Sequence, residues 1–148
     1  MTADSYPALE QTLGRLIRTA RANLRTIAGE LGEDMDPASY TLLGYLLNHP
    51  DVRLSDIAEA QCVGKPTISR QIARLEKMGL VERTTDPADS RGQLVRLTAS
   101  ASEQMLAVRQ QQMTRLRTAL SSWPSGDVDA LTELLDRFIE DFLSATRE

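Results

Sequence analysis

Between Leu54 and Thr98 the chain reads LSDIAEAQCVGKPTISRQIARLEKMGLVERTTDPADSRGQLVRLT, and its hydrophobic spacing changes period within that short span. Leu54, Ile57 and Ala58 mark one short helix, which Ser55 or a neighbour can cap. Ile68, Ile72 and Leu75, at i, i+4 and i+7, mark the inner face of a second helix that should pack on Ile57 and Ala58. Gly64-Lys65-Pro66-Thr67 gives this second helix a permissive cap residue and an early proline. Gly79 can end it, because glycine takes the left-handed conformation without steric cost. The period then becomes two. Val81–Thr84 and Gln93–Leu97 read as strands, joined by the polar loop Asp86-Pro87-Ala88-Asp89-Ser90-Arg91-Gly92. Such a span forms neither one long helix nor a flat sheet. It specifies two helices about a tight turn, followed by a hairpin.

The flanks are helical. Leu9, Leu13, Leu16, Ile17, Ala20, Leu24, Ile27 and Leu31 recur at threes and fours, and Gly29 and Gly32 punctuate the end of that helix. Arg15, Arg18, Arg21 and Arg25 on its other side read as a solvated face. Asp36-Pro37 is a helix start, the carboxylate capping free amides and the proline preset for the first turn. That helix carries Tyr40, Leu42, Leu43, Tyr45, Leu46 and Leu47 and stops at His49-Pro50, with His49 as an end residue and not a ligand.

Beyond the hairpin, Thr98 or the Ser100-x-x-Glu103 box can open a long helix whose stripe is Leu106, Met113, Leu116 and Leu120. Trp123-Pro124 breaks it, and Ser125 is placed to cap a last helix. In that helix Val128, Leu131, Leu135, Phe138 and Phe142 alternate threes and fours, and Leu134, Ile139 and Leu143 widen the stripe. The apolar faces of the first and last helices exceed what the central unit can cover, so a dimer built from them is the economical expectation.

Composition narrows the function. The chain has 148 residues, 41% of them hydrophobic, which suits one domain and one core. No run of 18 apolar residues appears, and MTADSYPALEQ lacks the basic start and apolar core of a signal peptide. A soluble, cytoplasmic protein without membrane contact is expected. One cysteine, Cys62, excludes an internal disulfide framework and a multi-cysteine metal site. One histidine, His49, leaves no set of soft ligands and no partners for a Ser-His-Asp arrangement. No metal, cofactor or catalytic residue is therefore assigned, and enzymatic activity is not expected. Gly64-Lys65-Pro66-Thr67 lacks the upstream glycine and preceding strand of a phosphate-binding loop.

The net charge of −4 divides unevenly: −4 over residues 1–60, +3 over 61–97, +2 over 98–125 and −5 over 126–148. Local fields, not totals, steer a polyanion to a surface. The basic excess lies where the two short helices and the hairpin lie. In the second helix, Arg70 is the candidate for a bidentate contact to guanine, and Gln71 can address adenine. Lys65, Thr67 and Ser69 can read bases or hold phosphates, Arg74 can anchor the backbone, and Lys77 reads as solvated. Arg91 near the hairpin tip can enter a narrow minor groove. Asp89, two residues earlier, is expected to support the wing by holding that guanidinium.

The helix-turn-helix, Lys65-Pro66-Thr67-Ile68-Ser69-Arg70, Leu75-Glu76-Lys77-Met78-Gly79-Leu80-Val81-Glu82-Arg83, Asp89-Ser90-Arg91 and Leu97-Thr98 together resemble the MarR family of transcription regulators. The resemblance implies a mainly α fold with a small β-hairpin wing (α+β): a winged helix-turn-helix domain framed by long N- and C-terminal dimerisation helices. One domain spans 1–148, with the DNA-binding lobe at 36–98 and dimerisation helices at 8–31 and 99–146. It also implies a homodimer on a pseudo-palindromic operator in double-stranded DNA. Repression, relieved by a small aromatic effector or by cysteine oxidation, is the implied mode, and no effector-binding residues are assigned.

Two positions depart from the family pattern. Cys62 lies in the turn where glycine is favoured, and Gly64 stands where Ser or Thr often caps the reading helix. Cys62 is expected as a small buried apolar residue filling the turn, with a redox sensor beside a helix N-terminus as the alternative. An interaction module without DNA is the alternative from another class. It would not need Lys65, Arg70, Arg74 and Arg91 on both contact elements.

Overall fold

The computed structural model describes residues 4–146. Six helices and three strands follow in the order α1 (Tyr6–Leu31), α2 (Pro37–Asn48), β1 (Val52–Arg53), α3 (Leu54–Ala60), α4 (Lys65–Lys77), β2 (Val81–Asp86), β3 (Asp89–Leu97), α5 (Ala99–Ala119) and α6 (Ser125–Thr146). The chain divides into two compact units at Val108/Arg109, within α5. The larger unit ends in the first half of α5, and the smaller one beyond it is helical.

The core of the larger unit is built where the periodicities intersect. Leu42, Leu43 and Leu46 of α2, Ile57 and Ala58 of α3, and Ile68, Ile72 and Leu75 of α4 are buried in one cluster with Val81, Val95 and Leu97 of the sheet. Ala101 and Met105 of α5 complete it. The expected stripe of α5 is corrected here: Leu106, Met113 and Leu116 are exposed, and the inward residues are Ala101, Met105 and Val108. Their i, i+4, i+7 spacing includes an alanine, so the larger exposed side chains carried more of the sequence signal than the inner face did.

Helix ends follow local chemistry. The Asp36 carboxylate accepts the Ser39 amide at 2.7 Å, with Pro37 in the first turn. His49 ends α2, its Nδ1 3.0 Å from the Tyr45 carbonyl and its ring stacked on Tyr45. Thr98 caps α5 by accepting the Ala101 amide at 3.2 Å, while its own hydroxyl donates to the Gly79 carbonyl at 2.9 Å. Two expected caps do not form. Ser55 lies inside α3, whose cap residue is Arg53, and Ser125 is itself the first residue of α6.

The sheet has three strands in the order β1-β3-β2, both pairings antiparallel. The expected two-stranded hairpin therefore gains β1, a two-residue strand pairing Val52 with Val95 and Arg53 with Leu94. The expected seven-residue loop shrinks, since Asp86 already pairs with Asp89 and leaves Pro87-Ala88 as the turn.

Candidate nucleic-acid interface

The helix-turn-helix is set by two helix endings of the same kind. At the end of α4, Gly79 has φ +73°, its amide donates to the Glu76 carbonyl at 3.0 Å, and the Leu80 amide donates to the Leu75 carbonyl at 3.0 Å. At the end of α3, Cys62 has φ +54°, its amide donates to Glu59 at 3.1 Å, and the Val63 amide donates to Ala58 at 3.1 Å. Both are Schellman endings, in which a left-handed residue reverses the chain and satisfies the last carbonyls. Cys62 occupies the position glycine would fill without strain. It is exposed, which corrects the expectation of a buried apolar filler.

Gly64 caps α4 through its backbone alone, and Lys65 and Pro66 open the helix. Burial of Ile68, Ile72 and Leu75 fixes the rotation of α4. With 100° per residue, Arg70 and Lys77 stand on the opposite side of the helix, and both are exposed. Lys65 and Thr67 are also exposed, whereas Ser69 and Gln71 flank the buried face and are half-buried.

The cations of this region sort into two sets. Arg74, Arg83 and Arg96 are engaged within the protein: Arg74 with Asp36 at 3.1 Å, Arg83 with Glu76 at 3.2 Å, and Arg96 with Glu82 at 3.0 Å and Asp51 at 3.7 Å. Lys65, Arg70, Lys77 and Arg91 are exposed, and none makes a side-chain bond or ion pair among the described residues. Arg74 also donates to the Asp34 carbonyl, so the structure gives this expected phosphate anchor two partners of its own. Ser39 first, whose amide bonds the carboxylate, and then Arg74 hold the Asp36 carboxyl below the usual aspartate range, against the opposing effect of burial.

On the hairpin, Arg91 lies on the strand β3 flank of the tip and not inside a loop. Asp89 does not hold its guanidinium as expected. The carboxylate instead accepts the Arg91 backbone amide at 3.0 Å, which shapes the start of β3 and leaves the guanidinium free. The residue that anchors the wing is Asp86, which sequence reasoning placed in the loop. It is only 5% exposed, accepts the Ala88 amide at 2.9 Å, and takes the Arg53 guanidinium at 2.9 Å (Nε) and 2.7 Å (Nη2). The Ala88 amide first, and then Arg53, hold the Asp86 carboxyl below its ordinary range, against the opposing effect of burial. Gly92 lets the two strands close here, because a Cβ at this position would stand 3.4 Å from the Asp86 Cβ and from the Asp89 carbonyl oxygen.

The arrangement offers an exposed helix face with free cations and an anchored hairpin with a free arginine at its tip. Residues 33–92 match the model of the MarR family. An uncharacterised HTH-type transcriptional regulator of Bacillus subtilis, YxaD, is 30% identical over 110 residues, which cover 74% of this chain and 77% of that protein. The chain belongs to the MarR family. The family and the relatives are transcription regulators and not enzymes.

The fold of this MarR-family chain agrees. It is similar to the crystal structure of MarR family transcription regulator SP03579, with a TM-score of 0.81 and 22% identity over 97% of this chain and 93% of that one. It is also similar to a point mutant of S. aureus MepR bound to an oligodeoxyribonucleotide, with a TM-score of 0.61 and 21% identity over 95% and 99% of the two chains. No helix among the described residues is long and apolar enough to cross a membrane.

Proposed function

We propose that this MarR-family regulator is a repressor that binds a pseudo-palindromic operator in double-stranded DNA as a homodimer. The carrying observation is the separation of cations: Lys65, Arg70 and Lys77 on α4 and Arg91 on the wing remain free, while their neighbours pair internally. The fold likeness to MepR bound to an oligodeoxyribonucleotide supports this reading. In it α4 enters the major groove, Arg70 with Gln71, Thr67, Ser69 and Lys65 meets bases or phosphates, and Arg91 braces the minor groove.

The dimer follows from faces without partners. In α1, Leu9, Leu16 and Ile17 are 44–51% exposed, although they continue the stripe that buries Ile27 and Ala28. In α6, none of Leu131, Leu134, Leu135, Ile139, Phe142 and Leu143 is buried. Apolar surfaces of this extent mark association sites. A second copy of the same helices would set two α4 helices about 34–36 Å apart, one turn of the duplex.

Release by a small aromatic effector completes the proposal. An effector that favours one spacing of the two α4 helices empties the operator once its differential affinity reaches a few kcal/mol. Selection of bound duplexes from random fragments, repeated with phenolic ligands, tests binding and release together. Failure to enrich any sequence favours the interaction-module alternative. Exposure of Cys62 at the turn before α4 favours a second mode, thiol-dependent release. Peroxide treatment of wild type and Cys62→Ser decides it, because equal release in both removes Cys62 as sensor.

A further inference from the structure

The segment between α1 and α2 is bonded to α4 by one polar side chain. Arg74, on α4, donates from Nη1 to the Asp36 carboxylate at 3.1 Å and from Nη2 to the Asp34 carbonyl, residues 38 and 40 positions away in sequence. Asp36 has a second duty, since its other carboxylate oxygen caps α2. Met35, between the two aspartates, is buried in the core cluster that holds Ile68, Ile72 and Leu75, and the Arg74 bonds lie outside that packing at the exposed edge. A cleft of about 380 Å³ lies beside Asp34, lined on the α4 side by Arg70, Ala73, Arg74, Lys77 and Met78. A planar guanidinium bonded to two residues of that segment constrains both separation and orientation.

We propose that Arg74 is a positioning residue that clamps α4 to the α1–α2 segment, and not a contact to the DNA backbone. This rests on the reading of the chain as a DNA-binding regulator. Both partners of the ion pair are about half exposed, so the pair adds little to global stability. Its effect is on geometry: it fixes the attitude of the reading helix relative to the end of α1, the helix that carries the unpartnered apolar face. A change in how α1 sits against a second copy is then passed to Arg70 through Asp36 and Arg74.

The two roles of Arg74 predict opposite signs. The full chain, as wild type, Arg74→Gln, Asp36→Ser and the double variant, is titrated with a duplex recovered from random fragments over a range of salt. Asp36→Ser keeps a helix cap of similar strength while removing the carboxylate. A clamp predicts that each single variant weakens binding about 2- to 30-fold, with an unchanged salt slope and a double variant no weaker than the worse single one. A phosphate contact predicts a slope flatter by about 0.9 per lobe in Arg74→Gln, and tighter binding in Asp36→Ser, which frees the guanidinium. That pair of results overturns the proposal.

Amide exchange on the free chain is the second measurement. Faster exchange over residues 32–36 and the second half of α4 in both variants supports the clamp, and unchanged exchange overturns it. If wild type binds no duplex, the reading of the protein as a DNA-binding regulator fails, and exchange alone decides the clamp.

Discussion

Arg53 and Asp86 are joined by two bonds, Nε to Oδ2 at 2.9 Å and Nη2 to Oδ2 at 2.7 Å, across 33 residues of sequence. One oxygen of Asp86 thus ties the two-residue strand β1 to the turn of the hairpin, while the other accepts the Ala88 amide that shapes the turn. This carboxylate shapes the turn and ties β1 to it, so the position of Arg91 depends on it.

Arg53→Ala and Asp86→Asn are therefore expected to weaken DNA binding severalfold and to speed amide exchange in β2 and β3, with α2 and α4 unaffected. The bonds depress the Asp86 pKa in the folded chain. Their contribution is thus complete above the unfolded aspartate value of about 3.9 and is lost as pH falls through the lower folded value. Denaturation curves should show a constant stability gap between wild type and Asp86→Asn from neutral pH to about 4, narrowing below it. A gap independent of pH would show that the charge is not what holds the turn.

Arg70→Ala and Arg91→Ala should fail in different ways. Loss of Arg70 is expected to cost about 1–3 kcal/mol and to relax preference at one base pair. Loss of Arg91 should weaken all sequences alike and flatten the salt slope by about 0.9 per lobe. Competition binding against single-base operator variants separates the two, and identical specificity profiles would remove Arg70 from the reading site.

Cys62→Gly is expected to stabilise the chain by about 0.5–1 kcal/mol. A side chain at φ +54° costs about 1–2 kcal/mol relative to glycine, and the extra freedom of glycine in the unfolded chain offsets part of the gain. Urea unfolding should show a higher midpoint with an unchanged slope. A lower midpoint would mean that the Cys62 side chain makes contacts that outweigh its strain.

Leu135→Glu with Phe142→Glu should give a monomer of wild-type helicity, because both side chains are already exposed in the single chain. Sedimentation and circular dichroism check this together. A dimer that survives both substitutions would remove the α6 face from the interface, and a monomer that still binds the operator at full affinity would break the two-lobe reading.

The helices were readable from the spacing of their large apolar residues; in α4 that stripe is the buried one, Ile68, Ile72 and Leu75, whereas the α6 stripe is exposed. Strand β1 was not readable, since two residues cannot show an alternation. The α5 face was misread because Ala101 contributes burial without hydrophobic bulk. For the site, residue type pointed to Arg70 and Arg91, but pairing is a long-range property. Nothing near Arg74 in sequence announces Asp34 and Asp36, and nothing near Asp86 announces Arg53. Asp89 looked like the guanidinium's partner because two residues is a natural spacing, yet that spacing also suits the backbone amide it accepts.

The strand order β1-β3-β2 leaves β2 as an outer strand, with one row of backbone donors and acceptors open to pairing. Arg83 and Glu82 on that strand are each held in an ion pair, with Glu76 and Arg96 respectively. Charged side chains on an edge strand disfavour its pairing with a foreign strand. The pairs that engage Arg83 and Arg96 within the protein thus also keep charge along the open edge of the wing, a safeguard against edge-to-edge aggregation.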